Sequence, residues 1–312
     1  MLHEPLFTIF GRGVHMYGIC IATGLIACLI AFYTLSKKKG MPTEVQDYVF
    51  FVLIGGLAIG FFSAMLFQAF YNWLDKGTFD LFGSGMTVMG GLLGGAGSFL
   101  LLYFLIGKYY FKGKKKDLHK KHFNTLLRVA PICIVIAHAF GRIGCLMAGC
   151  CHGQYLGKEY VFGGIWMRGT RGVTGYYVPT QLYEALFLFA LGGVMTLLLF
   201  KRCNINIAIY LIAYGIWRFI IEFMRADYRG GADISLSPSQ IQSFLFVAGG
   251  IAIILFYKFR KIPLFFSKNN VEESIAFDRQ NKFVVNLVSN EENNKTNEKD
   301  VSTSQNQDKK SE

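Results

Sequence analysis

Charge is what this sequence has least of for its size. Only 17% of its 312 residues are charged and 53% are hydrophobic, whereas a soluble domain carries roughly 25% charged residues. With 30 Phe and 35 Gly and a mean hydropathy of +0.36, the chain is too apolar for an aqueous fold, and a bilayer is its natural solvent. Also missing are a Walker-type phosphate loop, a nucleotide-binding glycine fingerprint between strand and helix, and any fixed-period repeat. Nucleotide-driven chemistry and solenoid architectures therefore find no support. The N-terminal segment contains Glu4 and no Lys or Arg before Arg12. It lacks the basic start and small-residue cleavage site of a signal peptide, so the first apolar run is expected to be retained.

What is present is a succession of apolar runs near bilayer length. Only helices or closed barrels satisfy all backbone groups in lipid, and a spanning helix needs roughly 20 apolar residues. The runs predict spans at Val14 to Leu35, Tyr48 to Phe70, Met86 to Ile106, Leu126 to Met147, Gln181 to Phe200, Ile205 to Met224 and Ile241 to Tyr257. The expected fold is an all-α polytopic membrane helix bundle of about seven transmembrane helices. Basic residues cluster in alternate connections: Lys37 to Lys39, the lysines between Lys108 and Lys121, Lys201 with Arg202, and Lys258 to Lys261 with Arg260. Basic loops stay cytoplasmic, which predicts the N-terminus out and the C-terminus in. The net charge of +12 resides largely in these flanking loops, where it meets anionic headgroups, so membrane lipids are expected partners and nucleic acid is not.

The transmembrane domain is expected over residues 1–262, with a small extracytoplasmic cap formed by the Gly- and aromatic-rich segment 148–180. Residues 267–312 are rich in Asn, Lys, Glu, Ser and Gln. Such a composition buries too little apolar area to offset ordering, which predicts a disordered cytoplasmic tail. Cys20, Cys28, Cys133 and Cys203 sit in or at the end of apolar runs and read as packing residues. Cys145, Cys150, Cys151 and His152 cluster where the fourth span ends, a spacing open to a disulfide, reactive thiols or a metal.

Ionisable residues at membrane depth carry the chemistry. Arg142 lies in Gly-Arg-Ile-Gly-Cys with His138 one turn earlier on the same face. An intramembrane arginine costs on the order of 3 kcal/mol, so it persists where it meets an anion or water, or snorkels to the interface. Tyr214, Arg218 and Glu222 recur every four residues, forming one polar stripe that Arg225 extends. An internal Arg218 to Glu222 ion pair accounts for part of the stripe, but two arginines against one carboxylate leave positive charge for an anion. Guanidinium forks match phosphate oxygens, so Arg142 and Arg218 together would clamp a phospholipid headgroup. Gly90, Gly91 and Gly94 allow close approach of a helix or a lipid chain. Tyr17 falls at an interface, where an aromatic belt also accounts for it. Gln181 and Glu184 open the fifth span and are costly there without partners.

These runs together resemble the prolipoprotein diacylglyceryl transferase family over about the first 260 residues. The resemblance rests on Met-Tyr-Gly at Tyr17, Gly-Gly-Leu-Leu-Gly at Gly90, Gly-Arg-Ile-Gly at Arg142, Pro-Thr-Gln-Leu-Tyr-Glu at Pro179, and Tyr-Gly-x-x-Arg-Phe-x-x-Glu-Phe-x-Arg at Tyr214. It implies a bacterial cytoplasmic membrane enzyme. The lipobox cysteine thiol of a prolipoprotein attacks the glycerol carbon of phosphatidylglycerol that bears the phosphate. A thioether forms and glycerol phosphate leaves, with no metal or organic cofactor. Carried over residue by residue, the resemblance points to Arg142, Arg218, Glu222 and Tyr17 as catalytic. Arg225, Gly90, Gly91 and Gly94 are expected to bind substrate with the two arginines, as are Gln181, Tyr183, Glu184 and Tyr214.

The chain departs from the family pattern at three places. Met89 stands where the family has histidine, and a thioether cannot accept a proton as a base. Cys145 replaces an asparagine, and Gly149 to Gly153 carries Cys150, Cys151 and His152 where a carboxylate is usual. The thiol proton is left to His15, His138, His152, Glu222 or solvent. These departures keep open a paralogue with another acceptor, and a non-catalytic membrane protein whose cysteine cluster binds metal or senses redox state.

Overall fold

The structure, a computed structural model, describes residues 6–9, 12–77, 79–83, 85–169, 172–225, 237–262 and 264. Glu4 and the 267–312 tail lie outside the described residues. Among those described are seven α-helices: α1 Met16–Lys38, α2 Thr43–Lys76, α3 Val88–Tyr110, α4 Leu118–Ala148, α5 Thr180–Phe200, α6 Asn206–Glu222 and α7 Pro238–Phe259. Six are long and apolar enough to cross a membrane, and the chain is an all-α, multi-pass membrane protein. The exception, α6, has 17 residues, about 26 Å at 1.5 Å per residue, a little short of a 30 Å hydrocarbon core.

Helix ends differ from the apolar runs where polar residues continue a helix. The fourth run begins at Leu126, yet α4 starts at Leu118 and takes in His119, Lys120, Lys121 and His122. Hydropathy marks the lipid-facing part of a helix, not its hydrogen-bonded length. Gly77 and Gly149, both left-handed, stop α2 and α4, as the absence of a Cβ allows.

Helix α4 is the hub, packing extensively on α1 and α5 and also touching α6, α2 and α3. Its Val129, Ile132, Val135 and Ala139 are fully buried in the main core. Helices α2 and α3 form the most intimate pair. A Cβ on Gly90 would stand 2.6 Å from Phe67 Cβ, and one on Gly60 3.0 Å from Gly95 Cα. Close approach of these two backbones requires the glycines.

Short strands flank the bundle. The hairpin β1 (Phe7–Ile9) and β2 (Arg12–Val14) precedes α1. Between α4 and α5, β3 (Tyr155–Gly157), β4 (Ile165–Arg168) and β5 (Thr174–Tyr177) make an antiparallel sheet in the order β3-β5-β4. Its Met167 and Tyr177 pack with Leu146, in the last turn of α4, and Leu182, in the first turn of α5. The sheet thereby fixes the ends of the two helices that carry Arg142 and Glu184.

Candidate active site

A buried polar cluster joins α4, α5, α6 and α7. From α4, Arg142 Nη2 lies 3.0 Å from Oε1 of Glu184 on α5, whose side chain is 1% exposed. The same oxygen accepts a hydrogen bond from the Tyr214 hydroxyl of α6 at 3.0 Å. His138 Nε2 lies 3.9 Å from it, with its ring edge-on to Tyr214. Glu184 is therefore the partner that makes an arginine tolerable on α4, because a buried ion persists when charge and hydrogen bonds both compensate it.

A second pair stands beside the first. Arg218 Nη2 lies 2.9 Å from Glu222 Oε2, one turn on along α6. It also donates to Ser239 Oγ at 2.8 Å, while Ser237 Oγ donates to Glu222 Oε1 at 2.9 Å. Ser237 caps α7 through a capping box with Gln240, so the geometry that starts α7 also orients Glu222. The other guanidinium nitrogen, Arg218 Nη1, is buried with no hydrogen-bond partner among the described residues. A buried guanidinium N–H without an acceptor is costly, and a ligand oxygen would satisfy it. Glu184 and Tyr214 interact electrostatically with both Arg142 and Arg218, so the two pairs form one cluster.

The stripe of Tyr214, Arg218 and Glu222 lies on one face of α6 as periodicity requires. Arg225 departs from it. The helix ends at Glu222, and Arg225 lies beyond, in a backbone bridge with Gly153 and close to Cys151. Tyr17, half-exposed at the start of α1, packs its ring 3.1 Å from where a Gly144 Cβ would stand and interacts with Arg142 and the three nearby thiols.

The remaining residues take other positions. Gln181 is buried and donates to Cys150 O at 2.6 Å, and the Tyr183 hydroxyl donates to Gly163 O. Both therefore hold the segment between α4 and α5. Gly90 and Gly94 face α2, with Gly94 packed onto Ser63. Gly91 lines an apolar cavity of about 260 Å³ between α2 and α3, with Gly60, Gly95 and Thr87. Ser237 and Ser239 were missed by the intramembrane-charge argument, though Ser-Pro-Ser-Gln is a readable capping signal. Met89, at the start of α3, is exposed.

The sequence profile of prolipoprotein diacylglyceryl transferases matches residues 4–256. The chain belongs to this family. It is similar to the phosphatidylglycerol–prolipoprotein diacylglyceryl transferase of Clostridium tetani, at 32% identity over 266 residues, 82% of this chain and 98% of the relative. A Campylobacter curvus transferase of the same name is 31% identical, covering 81% of this chain and 93% of its own. A Clostridium perfringens protein, named as the second such transferase, is 29% identical over 81% and 94%. The family match spans all seven helices except the last turn of α7. Every arginine and carboxylate of the cluster therefore lies inside the transferase domain.

Proposed function

We propose that this family member transfers the diacylglyceryl group of phosphatidylglycerol to the lipobox cysteine of a prolipoprotein. Relatives that match most of the chain carry that activity in their names, and the polar cluster supplies chemistry suited to it. The thiol sulfur forms a bond to the glycerol carbon as the bond from that carbon to the phosphate oxygen breaks. The thiol loses its proton and glycerol phosphate departs. Negative charge accumulates on the leaving phosphate, and fixed guanidinium donors in a dry site stabilise it at little reorganisation cost.

Arg218 is the principal phosphate ligand, through the buried Nη1 that lacks a partner among the described residues, and this observation carries the reading. Arg142 provides the second fork, held by Glu184, with Glu222, Tyr214 and Tyr17 setting the two arginines. Gln181, Tyr183 and Arg225 serve substrate binding by holding the surrounding segment. Gly91 and its neighbours offer an acyl chain apolar space between α2 and α3. His138, inside the cluster, is best situated to take the thiol proton. The reaction uses no metal or organic cofactor, and no nucleic acid takes part. The chain resides in a bacterial cytoplasmic membrane with its N-terminus and the 148–180 cap outside.

The test is direct. Purified protein is incubated with phosphatidylglycerol and a lipobox peptide, and the peptide is weighed by mass spectrometry. A gain of one diacylglyceryl unit on cysteine, absent with a serine peptide, is the expected result, and no gain overturns the reading. A second arm expresses the chain in a bacterium depleted of its own transferase, where restored growth is expected.

A further inference from the structure

Three thiols converge where α4 ends, and the transfer reaction uses none of them. The left-handed Gly149 turns the chain back on itself, and Cys150 N donates to Cys145 O at 3.1 Å. Cys151 takes a φ of 61°, a left-handed conformation unusual for a residue with a Cβ. Two buried side chains from the start of α5 hold this turn. Gln181 Nε2 donates to Cys150 O at 2.6 Å and Thr180 Oγ1 to Cys151 O at 2.9 Å. The outcome is a set of three free, partly buried cysteines, Cys145, Cys150 and Cys151, whose sulfurs all lie within 4.8 Å of one another.

The separation suits metal coordination. Three thiolates in a plane around an ion at about 2.3 Å stand about 4 Å apart. His152 does not complete a tetrahedron. Its Nδ1 is 2.9 Å from Gly153 O, and its ring lies against Tyr177, with centroids 4.3 Å apart. A sulfur-only, three-coordinate set selects a soft ion over zinc, which favours four ligands. Arg142 and Arg225 both interact with Cys151 and supply counter-charge to an anionic metal–thiolate group.

We propose that Cys145, Cys150 and Cys151 form a trigonal three-thiolate site for a soft d10 ion of the copper(I) class. Binding deprotonates three thiols and forms three metal–sulfur bonds, releasing three protons to solvent with no change in oxidation state. The site stands on the thiol geometry alone and does not depend on which lipid or acceptor the neighbouring cluster handles.

The test uses the full chain in detergent, purified under anaerobic reducing conditions and stripped with a chelator. It is loaded with copper(I) against a competing copper(I) chelator, and bound copper is counted after gel filtration. One copper per chain is expected, with a sulfur-only coordination shell by X-ray absorption. The Cys145→Ser/Cys150→Ser/Cys151→Ser variant should hold at least tenfold less, and Cys28→Ser/Cys133→Ser should hold as much as the parent. Equal binding by the triple-serine variant overturns the proposal, as does no binding by the parent. Should the triple variant fail to fold, the parent alone decides the matter by alkylation and peptide mass spectrometry. Copper should lower labelling of Cys145, Cys150 and Cys151 at least tenfold while Cys20 and Cys203 are unaffected. Unchanged labelling, or two of the three joined as a disulfide in anaerobically isolated protein, overturns the proposal.

Discussion

Arg218 divides its guanidinium between two tasks. Nη2 serves Glu222 and Ser239, and Nη1 is buried with no acceptor among the described residues. A lysine offers one compact ammonium and cannot serve both directions. Arg218→Lys is expected to insert normally yet lose on the order of 10²-fold or more in transfer rate, the scale of removing one charge-stabilising donor. Near-normal rates of mass gain on the lipobox peptide would refute the phosphate role. Glu184→Gln should act differently, because it leaves Arg142 buried without its counter-charge. Breaking such a pair costs about 3–5 kcal/mol, so a large fall in thermal stability in detergent is expected along with lost activity. The sequence revealed Arg142, Arg218 and Glu222 as residues too costly to be idle. It did not reveal that Glu184 pairs with Arg142, because the two sit on different helices and no periodicity links them.

Helices α2 and α3 meet through glycine, and here an element rather than a residue is the unit of response. A side chain at Gly94 would collide with Ser63, whereas nothing lies within 4 Å of a Cβ on Gly97. Gly94→Val should therefore destabilise the protein by about 1–3 kcal/mol through overpacking, while Gly97→Ala should cause no loss of stability in the same denaturation assay, because alanine is the better helix former. Equal effects would mean that the interface is more plastic than its spacing indicates. Ser237→Ala removes the α7 cap and a hydrogen bond to Glu222, and about 1 kcal/mol of stability is expected to go with the cap alone. All seven helices were legible from apolar runs because lipid requires such runs. The polar first turns of α4 were not, and neither were β3 to β5, whose three or four residues are too short for an alternating pattern to register. Arg225 was assigned to the stripe by spacing that holds only while the helix continues, and α6 stops three residues earlier.

At the scale of the molecule, the family match ends at residue 256, so a chain truncated after residue 266 should support transfer at the full-length rate. A loss greater than about tenfold, some 1.4 kcal/mol in transition-state stabilisation, would assign the polar tail a catalytic part. The same long-range view bears on biosynthesis. Arg142 is neutralised by Glu184 on the following helix, whereas Arg218 meets Glu222 within its own. As the chain emerges, α6 reaches the bilayer with its charge already paired, but α4 arrives with an orphan cation. At about 5–20 residues per second, the roughly forty residues between the partners take several seconds to synthesise. During that interval the insertion machinery, rather than the finished protein, must shelter Arg142.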